Sequence, residues 1–124
     1  MSDRSETRSP SAPSPQPGPH LDLWAVLWRL AGTTEEMGAM MPEHLAHMTE
    51  LERSGVLFAS GPFLDPDGRP GDALSIIHAP SKARATAIAG AEPLVKAGVR
   101  TFEVRQWRLT KGTPTLLTAL YGPR

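Results

Sequence analysis

The sequence predicts an α+β domain built on a four-stranded antiparallel sheet, with its elements in the order β, α, β, β, α, β. Three observations carry the prediction. Short apolar runs suited to strands occupy residues 21–30, 56–63, 73–79 and 99–109. Capping signals and helical spacing fill the first and last intervals between them. The middle interval, DPDGRPGD at residues 65–72, is a cluster of turn formers.

The first run, LDLWAVLWRL, is nearly continuous in apolar residues. Leu23, Ala25 and Leu27 fall on one side of the pleat and Trp24, Val26 and Trp28 on the other, so a strand covered on both faces fits best. Ala31 and Gly32 end it. Thr33 then offers an N-cap with Glu36 three residues on, the spacing of a capping box, and a short helical turn is expected through Met40.

Pro42 sits where a new helix starts, a position at which its missing N–H costs nothing. From Pro42 to Arg53 the apolar positions Leu45, Met48 and Leu51 recur at helical spacing. His44 precedes Met48 by four residues and Leu51 by seven, so it shares their inward stripe, and Gly55 is the natural stop. VLFASGPF is the second strand, closing at Gly61-Pro62. ALSIIHA, residues 73–79, is the third. A second helix is expected from Ser81 to about Ala97, with Ala85, Ile88 and Ala89 on one side, and Pro93 either interrupts it or begins a new turn. Gly98 ends it, and VRTFEVRQWRL, residues 99–109, is the last strand.

This order is that of the split βαβ, or ferredoxin-like, arrangement, in which the first and third strands are central. They are the two most apolar strands here. Two helices cover one face of such a sheet, yet both faces of the first strand carry residues that need burial. The simplest cover for the second face is the same surface of a second copy, so a homodimer packed through its sheet faces is expected.

Composition narrows the function classes. The 124 residues allow one domain of common size, and 40% hydrophobic content is globular. Thirteen Lys and Arg offset thirteen Asp and Glu, so net charge offers no argument for nucleic acid or a membrane surface as partner. No apolar run approaches the roughly 20 residues needed to span a bilayer. The absence of cysteine excludes disulfides, thiolate metal sites and a cysteine nucleophile, and fits a cytoplasmic location. Residues 1–20 alternate proline with serine, lack an apolar signal region and read as a disordered tail, with a PxxP spacing at Pro10 and Pro13. The domain is expected over 21–110. Residues 111–124, with Leu116, Leu117, Leu120 and Tyr121, are expected to dock on the dimer or a sheet edge. No Gly-rich phosphate loop and no GxSxG elbow appear, which disfavours nucleotide-dependent and serine-hydrolase chemistry.

PEHLAHMTELERSGVLFASGPF together with AGAEPLVKAGVRTFEVRQW resembles the YCII-related domain family of the dimeric α/β-barrel superfamily. The first block is similar to that family's proline-x-histidine-leucine helix running into a strand that closes with glycine-proline. The second is similar to its aspartate-proline motif, small-residue turn, Gly-Val pair and last strand. The resemblance covers about residues 22–109. It implies a His-carboxylate dyad in a pocket between helices and sheet, with the family histidine at His44 and the family aspartate at Glu92, a carboxylate one methylene longer, followed by Pro93. It further implies chemistry of the kind known in that superfamily, removal of chloride from a chlorinated hydroxyhydroquinone or isomerisation of a muconolactone. The expectation is a cofactor-free lyase or isomerase of a small oxygenated ring. In it His44 accepts and returns a proton while Glu92 sets its tautomer. The alternative is a small-ligand binding or accessory protein of the same fold that has lost the reaction.

Arg29, at the end of the first strand, is a candidate to grip a substrate carboxylate or phenolate, and Ser60 to donate a hydrogen bond into the same mouth. His44, His47, Glu43 and His78 prompt a metal reading, but the chain has no HExxH or other metal-binding pattern and no metal is expected. Met37, Met40, Met41 and Met48 offer an adaptable apolar wall. Trp24, Trp28 and Trp107 serve the sheet faces, since no basic groove accompanies them.

Overall fold

The computed structural model describes residues 22–121, with side chains through Thr118. The tail at 1–20 lies outside the described residues. The strands are β1 (Leu23–Leu30), β2 (Leu57–Leu64), β3 (Pro70–His78) and β4 (Arg100–Trp107); the helices are α1 (Thr34–Ala39), α2 (Met41–Arg53), α3 (Lys82–Gly90), α4 (Pro93–Lys96) and α5 (Pro114–Tyr121). Residues 21–110 form one compact unit, and α5 belongs to another.

The sheet runs β2-β3-β1-β4 with every neighbour antiparallel, which places β1 and β3 at its centre as their apolar content requires. The strand period of two then sorts the faces. Trp24, Val26 and Trp28 pair with Ile77, Ser75 and Ala73 on one side and with Gln106, Val104 and Phe102 on the other. These tryptophans and Val26 are buried in one cluster with Ala85 and Ala89 of α3. Each indole N–H has a partner: Trp24 Nε1 donates to the carbonyl of Ala79 and Trp28 Nε1 to Ser75 Oγ, both at 2.8 Å.

The opposite face carries Ala25 and Leu27 beside Ile76 and Leu74. Ala25, Leu27 and Leu74 remain half-exposed, and Phe63 near the end of β2 is 52% exposed. A depression of about 290 Å³ opens there, its lining including Ala59, Gly61, Phe63, Leu74 and Ile76.

Local chemistry sets the boundaries. The capping box is complete: Glu36 N–H donates to Thr33 Oγ1 at 3.0 Å, and Thr33 N–H to Glu36 Oε1 at 2.8 Å. Thr33→Ala is therefore expected to lower the unfolding free energy by about 1 kcal/mol, read as a shifted midpoint with unchanged slope in urea denaturation.

Two sequence expectations need correction and a third is sharpened. The turn between β2 and β3 is shorter than DPDGRPGD: Asp65 Oδ1 accepts from Asp67 N–H and Arg69 N–H, which tightens the reversal so that β3 starts at Pro70 rather than residue 73. Of the two alternatives at Pro93 the new turn is the one found: the stretch 81–97 holds two helices, α3 and α4, with Glu92 in extended conformation (φ −66°, ψ 133°) between them. Pro93 at the first position of α4 disfavours helical backbone at the residue before it. Finally, Leu45 is 56% exposed. The inward stripe of α2 is Met41, His44, His47, Met48 and Leu51, all half-buried, and Leu45 lies about 100° around the wheel from its centre.

Candidate active site

Three elements converge near the Leu30 end of β1. α2 supplies His44 from its half-buried stripe. The break between α3 and α4 supplies Glu92, which is 1% exposed. Arg100, the first residue of β4, pairs with Leu30 and lies on the same face of its strand as Phe102 and Val104, beneath the helices.

Glu92 is the hub. Its Oε2 accepts the Leu94 N–H at 2.5 Å, capping α4. Its Oε1 accepts from His44 Nδ1 at 2.8 Å and from Arg100 Nη1 at 3.2 Å. Burial pushes the carboxyl up and is the largest single influence. The His44 hydrogen bond, the Leu94 N–H and the favourable electrostatics of His44 and Arg100 together outweigh it, so the group titrates below its ordinary value of 4.5. An ionised carboxylate only accepts, so the proton of the shared hydrogen bond sits on Nδ1 and the lone pair of a neutral His44 is on Nε2. The ring is 15% exposed, and Nε2 has no hydrogen-bond partner among the described residues. The arrangement therefore supplies a base with a fixed tautomer, reachable from outside.

Arg100 is 7% exposed and packs against the face of Trp28, its guanidinium carbon 5.2 Å from the ring centroid. Burial, the largest influence, lowers its pKa from the ordinary value, and Glu92 opposes that; a guanidinium remains charged at any pH where proteins fold. Its Nε is buried without a hydrogen-bond partner among the described residues, as is Nε2 of His47. Leu30, Met40 and Met41 pack with buried Met37, Leu94 and Val99 beside this site.

Arg29 and Ser60 fall elsewhere than expected. Arg29 is exposed and, because side chains alternate along β1, stands on the opposite face from Trp28 and Leu30. Ser60 reaches the site only through others: its Oγ is 2.8 Å from Ser75 Oγ, which also accepts from the Trp28 indole beside Arg100. His78 pairs with Leu23 at the far end of β1 from Arg100, with its ring edge-on to Phe58. Among the described residues no three His, Cys, Asp or Glu side chains gather as a metal-ligating set.

Sequence reasoning overlooked Arg100. Its signal was available: counting back in twos from Val104 and Phe102 places residue 100 on the helix-covered face, where a charge must find a partner.

The YCII-related domain matches residues 23–108. The chain belongs to the YCII-related domain family. Among solved structures it is similar to 5-chloro-2-hydroxyhydroquinone dehydrochlorinase (TftG) from Burkholderia phenoliruptrix AC1100, in complex with 2,5-dihydroxybenzoquinone. The TM-score is 0.51 and the identity 19%, over 68% of this chain and 93% of that one. At that identity the likeness speaks for the fold. A search of curated proteins returned no match. The YCII-related domain thus spans β1 to β4 and contains His44, Glu92 and Arg100, while α5 lies beyond it. Among the described residues no helix is long and apolar enough to cross a membrane.

Proposed function

We propose that this YCII-related domain is a cofactor-free lyase or isomerase of small oxygenated rings, with His44 as the base. The observation that carries the reading is the 2.8 Å contact of His44 Nδ1 with a buried, ionised Glu92, which leaves Nε2 as the reactive nitrogen. In the lyase form, Nε2 takes the proton of a ring hydroxyl and the resulting imidazolium returns it to the halogen-bearing ring carbon. Halide then leaves with its bonding pair as a second hydroxyl loses its proton, so the net change is loss of HX. In the isomerase form the same nitrogen moves a proton between two carbons with no net change in composition. Glu92 positions the ring and stabilises the imidazolium without taking its proton. The dehydrochlorinase activity and quinone ligand of the structurally similar TftG support a substrate of this class.

The test is release of chloride, with appearance of quinone absorbance, from chlorinated trihydroxybenzenes, alongside isomerisation of a muconolactone. Turnover that depends on His44 supports the enzyme. One observation favours a second reading, a binding protein: both oxygens of Glu92 are already engaged by protein donors, as in a structural ion pair. Ring binding with no turnover by stoichiometric protein supports that reading and overturns the first.

We further propose that the half-exposed face carrying Leu27 and Leu74 packs on the same face of a second copy, the cover its apolar residues call for. Leu74→Glu is expected to convert a dimer to a monomer in sedimentation velocity. An unchanged sedimentation coefficient places the interface elsewhere.

A further inference from the structure

We propose that Arg100 binds an ionised oxygen of the ligand, so that the site selects rings carrying an acidic hydroxyl or a carboxylate over neutral ones. The inference rests on the reading of the His44 site as a ligand site and names the charge its ligand carries.

A guanidinium presents five N–H donors in a rigid fork. In Arg100 the Nη1 side is engaged by Glu92, while Nε is buried and has no partner among the described residues. An unpaired donor on a side chain only 7% exposed is rare in native structures and marks a place where a further acceptor belongs. The fork is also held in place. Glu92 fixes one side, the Trp28 ring lies against its face, and that ring is itself held by the indole hydrogen bond to Ser75. A donor set fixed in advance and short of one acceptor is arranged to receive an oxyanion.

The position suits the chemistry. His44 Nδ1 and Arg100 Nη1 donate to the same oxygen of Glu92, so a ligand that reaches the imidazole is also close to the guanidinium. Glu92 repels an anion, but its charge is offset by three donors, His44, Arg100 and Leu94. Asp72, the other acidic group felt by Arg100, uses Oδ1 to accept the Leu30 N–H at 3.0 Å. Met40 and Met41, unbranched and adaptable side chains, pack with Leu94 next to Glu92. Arg29, on the opposite face of β1, is not placed to do this.

The experiment titrates the full chain with 2,5-dihydroxybenzoquinone, an acidic ring, and with neutral hydroquinone, by calorimetry and by the side-chain Nε–H resonance of Arg100 in 1H–15N spectra. The expected result is about tenfold or greater preference for the acidic ring, with the Arg100 resonance shifting on its addition and not on addition of hydroquinone. Arg100→Lys, which keeps the charge but loses the fork, is expected to lose about tenfold for the acidic ring and less than about threefold for hydroquinone. An Arg100 resonance unmoved at saturation, equal affinity for the two rings, or no binding of either overturns the proposal. The spectra of the natural chain decide the matter even where the lysine variant fails to fold. Lack of turnover with the Arg100 shift intact would instead overturn the enzymatic reading and leave this one standing.

Discussion

His44→Ala is expected to reduce turnover by a factor on the order of 10² to 10⁴, the usual contribution of a positioned general base. The fold should survive. α2 has no fully buried residue, and when the imidazole is removed Glu92 keeps Arg100 and the Leu94 N–H. The cost is one hydrogen bond to a charged group, about 1.5–3 kcal/mol, visible as a lowered melting temperature with unchanged far-UV circular dichroism. Two measurements separate a base from a structural histidine. Added imidazole should restore part of the alanine variant's turnover. In the natural chain, long-range 1H–15N spectra should show His44 protonated on Nδ1 and bare on Nε2. If the variant retains full activity, or the tautomer is the opposite one, His44 is not the base.

Glu92→Ala is expected to have the largest effect on stability. It removes the cap of α4, leaves the Leu94 N–H without its acceptor and strands the buried Arg100 charge. Breaking a buried pair from one side costs about 3–5 kcal/mol, against a total of about 5–15 kcal/mol for a typical domain. Urea denaturation measures it directly. Glu92→Asp is a sharper probe: aspartate is a good N-cap, so most of the stability should remain. The shorter side chain withdraws the oxygen from His44 by about one bond length, and turnover should fall further than stability does. Equal and small stability losses in both variants would mean that the ion pair does not hold this part of the fold.

The same carboxylate sets a pH dependence. Because Glu92 titrates lower in the folded chain than its ordinary 4.5, the unfolded chain binds the proton more readily. The stability it contributes is complete above pH 4.5 and is lost as pH falls through the lower, folded-state value. Comparing natural and Glu92→Ala chains should show a stability gap that narrows in that acidic window and is constant above it.

Much of this architecture is legible in one dimension because it depends on local periods. Alternation in LDLWAVLWRL assigned Trp24, Val26 and Trp28 to one face, and the structure buries them under the helices. Thr33 and Glu36 announced a capping box because both partners of that motif lie within one turn. Leu45 shows the limit of the method. An apolar residue at helical spacing can lie at the margin of a stripe, and its burial is decided by what packs against the helix. The candidate site divides in the same way. His44 and Glu92 were named through family resemblance, whereas Arg29 was chosen for its type at a strand end, without weighing which face an odd position of β1 would take.

What the sequence determined by itself was the order of the sheet domain's elements, the centrality of β1 and β3, and the places where α1, α2 and α3 begin, since hydrophobic period, capping and proline geometry act over a few residues. What only the tertiary structure decided was that residues 44, 92 and 100 meet on one carboxylate oxygen and that Arg100 keeps an unpaired donor beside it. The physical reason is that side chains 48 and 8 residues apart are brought together by packing and strand register, and an angle or a missing hydrogen-bond partner exists only once three elements share the same space.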